Sequence, residues 1–358
     1  MDRRRFISSS TKLLAASSIL PLLGKSATSF ADPSAHFYGT IESIRQESLT
    51  KIAFGSCNRQ YASQRHWEII AADRPDLWVW LGDNIYADHL SIEERAKEYL
   101  RLKTNPYYQE FRMKTPLMGT WDDHDFASDN KGGEFPEKDA SQDLFMDFLD
   151  LPLDHSLRSQ RGVYHSEVFG PVGRQVEVFT LDLRYFRANP REKSGLLGDV
   201  QWDWLISSLQ ASTADLIIIA SSLHVTSSFT GLGLEGWNQF PEDRNRFYEV
   251  LAALDVPVLL LSGDRHMAEF TKAQLPNGKT VYEFMSSGMT HSANLPLPDR
   301  NRIGRVVGAR NYGLITIDWS MQRPNVLLEI KSTERQETFA RFQPNFANER
   351  HGILSSNW

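Results

Sequence analysis

The sequence predicts an α/β fold built from layered sheets. Three observations point to it. Short, wholly apolar runs recur, as in Leu77-Trp78-Val79-Trp80-Leu81 and Leu216-Ile217-Ile218-Ile219-Ala220. Helical segments separate them. After five of these runs the chain turns at once to metal-binding residue types. Strands without polar alternation are buried on both faces, so helices or a second sheet must cover them.

Taken in order, residues 1–31 read as an export signal. Arg3-Arg4-Arg5-Phe6-Ile7 is basic, and Leu13 to Leu23 is apolar but too short to span a bilayer. Ser29-Phe30-Ala31 offers the small residues that a signal peptidase reads. Paired arginines followed by Phe-Ile match the twin-arginine signature, so the expected partner in transit is the twin-arginine translocation machinery. The expected location is periplasmic or extracellular, with no stable membrane span after cleavage. Removing residues 1–31 takes the formal charge from −6 to −10. So acidic a chain lacks the basic face of a nucleic-acid binder. Cys57 is the one cysteine, which excludes an intramolecular disulfide. Residues 32–48 form a lead-in, and 49–358 a single predicted domain.

Lys51 to Phe54 is the first strand, and it runs into Gly55-Ser56-Cys57-Asn58. Arg65 to Ala72 is helical. The second strand starts near Leu77 and stops at Gly82-Asp83-Asn84-Ile85-Tyr86. Ser91 caps a helix to about Lys103, with Glu94 completing a capping box. Pro116 to Trp121 is a third strand, ending in Asp122-Asp123-His124-Asp125. Ala140 to Leu149 is an amphipathic helix. Gly162 to Glu167 and Gln175 to Leu183 read as strands of a second sheet layer. A helix from Gly198 to Gln210 follows, then a strand from Asp215 that delivers Ser222-Leu223-His224. A helix from Pro241 to Leu254 has proline in its first turn. Val256 to Ser262 is the next strand, ending in Gly263-Asp264-Arg265-His266. The remainder alternates strands, including Val281 to Met285, Tyr312 to Asp318 and Val326 to Lys331.

Five strand ends thus carry ligand-type residues to one candidate crevice, the usual place for sites in α/β sheets. Asp83 is placed to bridge two cations. A phenolate from Tyr86 favours ferric iron, while a thiolate from Cys57 suits iron or zinc. His224 and His266 offer nitrogens typical of zinc, iron or manganese. A lone cysteine is also commonly a buried inert thiol. Three carboxylates packed around His124 require a cation or an arginine partner.

Ser56-Cys57-Asn58, Gly82 to Tyr86, Trp121 to Asp125 and Ser262 to His266, in that order, resemble the alkaline phosphatase D (PhoD-like) family of calcineurin-like metallophosphoesterases. Leu181 to Arg187, Gln201 to Leu205 and Trp237 to Arg244 extend the resemblance over about residues 50–290. It implies the four-layer metallophosphoesterase fold, a two-sheet β-sandwich flanked by helices. It implies Fe3+ held by Cys57, Asp83, Tyr86 and His266, with Asp83 bridging to a second divalent cation held also by Asp123, His224 and Asp264. That second ion is expected to be Ca2+, with Zn2+, Mn2+ or Fe2+ as alternatives. The chain is expected to depart from the larger members of the family in lacking their long N-terminal β-domain. It also reads Phe126-Ala127-Ser128-Asp129-Asn130 after Asp125, which leaves the roles of Asp129 and Asn130 open.

The implied function is an exported, metal-dependent phosphoric ester hydrolase. A metal-bridged hydroxide would attack phosphorus in line with the leaving oxygen. Asn84, Arg184 and Arg265 are the candidates to absorb charge on the phosphoryl group, and His124 to steady or protonate the leaving group. The expected substrate is a small phosphate ester. One alternative keeps the metals but acts as a phosphodiesterase or phospholipase-like hydrolase, with the apolar loop Phe229 to Leu234 admitting a lipid-like group. Another is a non-catalytic metal- or phosphate-binding protein on the same scaffold.

Overall fold

A computed structural model describes residues 40–346, apart from residues 193, 230, 232, 233, 295, 296 and 322. The expected export signal, residues 32–39 of the lead-in and part of the 229–234 loop lie outside the described residues. Among those described, no helix is long and apolar enough to cross a membrane.

Two mixed sheets stack face to face. The first has six strands: β1 (Lys51–Gly55), β2 (Leu77–Leu81), β3 (Leu117–Thr120), β11 (Asn311–Asp318), β12 (Asn325–Ser332) and β13 (Thr338–Phe342). Their order is β13-β12-β11-β1-β2-β3. The second has β4 (His165–Phe169), β5 (Val176–Thr180), β6 (Leu216–Ala220), β7 (Val258–Ser262), β8 (Ala268–Gln274), β9 (Thr280–Ser286) and β10 (Arg302–Val307). Their order is β10-β8-β9-β7-β6-β5-β4. Strands β1, β2 and β3 are parallel, with Phe54 beside Val79 and Val79 beside Met118. Strands β5, β6, β7 and β9 are parallel in the other sheet.

Strand periodicity explains why the apolar runs carry no polar alternation. Ile52, Phe54, Leu77, Val79 and Leu81 point inward and meet Val178, Ile218, Leu259 and Leu261 between the sheets. Trp78 and Trp80 point the other way. They pack on Trp67 of α2 (His66–Ala72), Tyr108 and Phe111 of α4 (Pro106–Arg112) and Phe148 of α6 (Lys138–Phe148). On the far side, Ile217, Ile219 and Leu260 share a cluster with Trp202 and Leu205 of α7 (Gly198–Ala211) and Phe247 of α8 (Pro241–Ala252). The result is the expected helix–sheet–sheet–helix sandwich.

The capping box of α3 (Ile92–Lys103) forms as expected: the Ser91 amide donates to Glu94 Oε2 at 3.0 Å and the Glu94 amide donates to Ser91 Oγ at 3.3 Å. Six elements were not individually anticipated: α1 (Ile41–Ile44), α4, α5 (Asp123–Phe126), β8, β10 and β13. Pro106 looks like a break after α3, but it occupies the first turn of a new helix capped by Asn105, where a missing N–H costs nothing. Strand β10 lacks a buried face, so it has no periodic signal.

Candidate metal centre

The parallel strands β1, β2 and β3 end at the same edge, so Cys57, Asp83 and Asp123 arrive together. Two glycines bring those ends into contact. Gly82 has φ +93°, and a Cβ there would strike the backbone and Cβ of Asp122. A Cβ on Gly263 would strike Ser56 Oγ and the Leu81 carbonyl, so the end of β7 in the second sheet closes directly onto β1 and β2.

Cys57, Asp83, Asp264 and His266 all adopt left-handed backbone, with φ of 61°, 48°, 73° and 56°. They make up half of the non-glycine positive-φ residues described. Such conformations cost of order 1–3 kcal/mol each and persist where the surroundings impose them, commonly at functional sites. Here the Cys57, Asp83 and His266 side chains are turned off the strand direction into one crevice, with the Asp264 carbonyl beside Cys57.

The side chains converge closely. Asp83 Oδ2 lies 3.4 Å from Cys57 Sγ and 3.1 Å from the Tyr86 hydroxyl. That hydroxyl lies 3.2 Å from His266 Nε2 and 3.1 Å from His291 Nε2, and the two imidazole nitrogens are 3.1 Å apart. Gln60 holds the Tyr86 backbone at both its amide and its carbonyl, each at 2.9 Å. Burial and then the charge of Asp83 push the Cys57 thiol and the Tyr86 phenol well up. Burial and then Asp123 raise Asp83 likewise. Burial, His124 and Arg59 lower His266 to about 4, while burial, His266 and Arg59 lower His291 to about 3. The site therefore pairs neutral imidazoles with acids whose ionisation needs a cation.

Residues present fit such a cation. Donors around an ion at metal–ligand distances of about 2.0–2.3 Å stand roughly 3–3.5 Å apart, as these do. Asp83 Oδ1 is buried and has no hydrogen-bond partner, leaving an oxygen free to bridge. Asp83 also groups with Asp123 and His124. Burial alone would raise Asp123, but Arg184, His124 and the amides of Asn130 and His124 hold it below the usual carboxylate range. The Asn130 amide is 2.6 Å from Asp123 Oδ2. The Asp129 amide is 2.9 Å from Asp88 Oδ1. This segment thus serves the site through its backbone. The Asp264 carbonyl lies 3.8 Å from Cys57 Sγ, and its carboxyl is raised by burial, then by Asp122, Glu235 and Asp123.

Other expected residues have different duties. His224 is not with Asp83: its Nδ1 lies 3.1 Å from Glu283 Oε2 and its Nε2 3.3 Å from Glu269 Oε1. Both ring nitrogens thereby face buried carboxylates of β8 and β9, and the Ser227 amide lies 3.2 Å from Nδ1. Arg184 is fully buried and spends its guanidinium on Asp122 at 2.5 Å and Glu235 at 2.7 Å. It is the arginine partner that the acidic cluster requires. Arg265 donates to Ser227 Oγ at 3.2 Å and the Glu235 carbonyl at 3.0 Å. Asn84 Nδ2 donates to Asp125 at 2.6 Å and to the Thr120 carbonyl at 3.1 Å. These three side chains tie the loops together.

Two residues went unnoticed in the sequence. His291 follows β9 by five positions, in Ser287-Gly288-Met289-Thr290-His291, so it obeys the strand-end pattern at a longer offset. Asp88 lies 2.7 Å from His124 Nδ1 through either oxygen. Burial would lower His124, but Asp88, Asp83 and Asp123 outweigh it and raise it to about 10.

The matching family profile and the PhoD structure agree with this architecture. The profile of the PhoD-like phosphatase family matches residues 52–312. The solved structure of PhoD superposes with a TM-score of 0.64 at 16% identity, covering 82% of this chain and 72% of that one. GAP50, the anchor in the inner membrane complex of Plasmodium, gives a TM-score of 0.52 at 11% identity, covering 85% and 91%. The calcineurin-like phosphoesterase YfkN from Bacillus subtilis gives 0.39 at 15% identity, covering 83% and 90%. No curated protein sequence matches the chain.

Proposed function

We infer the function from one premise: the chain belongs to the PhoD-like phosphatase family, and so is a metallophosphoesterase. The finer reading is that it hydrolyses small phosphate esters at the centre built on Asp83. One observation carries it. Cys57 Sγ, Asp83 Oδ2, the Tyr86 hydroxyl, His266 Nε2 and His291 Nε2 are linked by contacts of 3.1–3.4 Å, and Asp83 keeps its second oxygen free. Those five residues would hold one cation, and their phenolate, thiolate and imidazoles suit Fe3+. Asp83 with Asp123, and Asp264 beside them, would hold the second, whose oxygen-rich set suits Ca2+. Bound cations supply Lewis acidity, activating water and taking up charge on phosphoryl oxygens.

The protein's own groups do the rest. His124 Nδ1 is bonded to Asp88, so Nε2 is the atom left to hand a proton to the leaving oxygen. Asp88 fixes the ring, and Arg184 keeps Asp122 ionised in a buried place. Export by the twin-arginine route to the periplasm or beyond is part of the proposal and rests on Arg3-Arg4-Arg5-Phe6-Ile7. The test is hydrolysis of 4-nitrophenyl phosphate by protein carrying its native metals. Activity should vanish on chelation and in Asp83→Asn. Turnover that survives both would overturn the reading.

A further inference from the structure

The three groups expected to meet the phosphoryl oxygens, Asn84, Arg184 and Arg265, are all engaged within the protein. A dianionic substrate still needs a positive partner beyond the metals. Arg59 is differently placed. It follows Cys57 by two positions at the end of β1 and is half-buried. Its amide donates to Thr290 Oγ1 at 2.8 Å, and that hydroxyl donates to the Cys57 carbonyl at 3.1 Å. Its backbone is thus fixed between the Cys57 turn and the loop bearing His291. The guanidinium carbon lies 5.6 Å from the centre of the Tyr86 ring, and its charge helps lower the neighbouring His266 and His291. Its Nε is buried without a hydrogen-bond partner, and among the described residues no carboxylate pairs with it. A guanidinium held over an aromatic face, beside a cation-binding crevice and lacking a counter-ion, has the fork geometry that suits a phosphoryl group.

We propose that Arg59 receives the phosphoryl group of the substrate, and that it favours phosphomonoesters. The proposal rests on the phosphoesterase reading above. Oxygen counting gives the preference. A monoester has three non-bridging oxygens and a diester two. Two cations held as proposed, together with Arg59, would offer three positive partners, which a monoester could engage together. Arg184 and Arg265 then act by positioning loops, and Arg59 alone among the three meets substrate.

The experiment uses metal-loaded protein and inorganic phosphate as the probe, measured by calorimetry alongside hydrolysis of 4-nitrophenyl phosphate and bis(4-nitrophenyl) phosphate. Arg59→Met should weaken phosphate binding at least tenfold with metal content unchanged, and Arg59→Lys should recover part of the loss. The monoester kcat/KM should fall further than the diester value. Phosphate affinity within twofold of wild type in Arg59→Met would overturn the proposal, as would equal losses on the two esters. So would loss of metal from both Arg59 variants, which assigns Arg59 to the fold. Arg59-dependent phosphate binding in a wild-type protein that cleaves no ester would sink the hydrolase reading and leave Arg59 standing as an anion site. Wild-type protein that cleaves the monoester but binds no phosphate would sink the Arg59 proposal and leave the hydrolase reading standing.

Discussion

At the scale of single residues, the candidate centre separates residues proposed to hold a cation from residues that orient them. His124 belongs to neither group in its ring. Its main chain follows Asp123, and its imidazole is turned to Asp88 at 2.7 Å. A proton donor needs a fixed orientation more than a perfect acidity, and general acid–base groups typically contribute 10²–10⁴-fold. Replacing Asp88 by Asn should therefore lower kcat by roughly 10- to 100-fold for alkyl phosphates, whose leaving oxygen needs a proton. For 4-nitrophenyl phosphate, whose leaving group departs as a stable anion, the loss should be much smaller. Rates across a series of leaving groups check this. A uniform loss would give Asp88 a purely structural duty.

At the scale of elements, the departure of His224 from the centre has a definite cause. Strand β6 ends like its neighbours, in Ser222-Leu223-His224, so its sequence looks the same. What differs lies far along the chain: Glu269 on β8 and Glu283 on β9 face the loop after β6 and take the ring. Glu283 also accepts the Val225 and Thr226 amides at 2.9 and 2.6 Å. Burial opposes both charges, yet the pair prevails. Glu283 and Glu269 lift His224 to about 9, and His224 draws Glu283 down to about 2. The signs fix a stability window. The His224 contribution is complete below its ordinary value of 6.5 and is lost as pH rises through about 9. The Glu283 contribution is complete above its ordinary 4.5 and is lost as pH falls through about 2. Thermal unfolding followed from pH 5 to 10 should show Tm falling above pH 6.5. His224→Leu should flatten that limb and, by leaving buried carboxylates uncompensated, cost about 3–5 kcal/mol at pH 6. An alkaline limb unchanged by the substitution would contradict the assignment.

At the scale of the whole molecule, the four layers were legible because each apolar run is buried on two sides. Trp78 and Trp80 face helices while Leu77, Val79 and Leu81 face the other sheet, and neither face leaves room for a polar residue. The crevice was legible where a ligand-type residue follows its strand at once, as with Cys57, Asp83, Asp264 and His266. It was not legible where the partner sits deeper in a loop, as with His291 and Asp88, or where burial decides which charges pair, as with His224, Arg184 and Arg265. Sequence shows that a cation-binding residue is near a strand end; only packing shows which neighbour it meets. The central claim is that Asp83 joins two cations in one centre between the sheets. Elemental analysis of wild-type protein and Asp83→Asn, each purified with its native metals, tests it most directly. Two metal ions per wild-type chain, one of them iron, and loss of both in the variant are the predicted result. A variant that keeps both ions, or a wild-type protein that holds none, would contradict the claim.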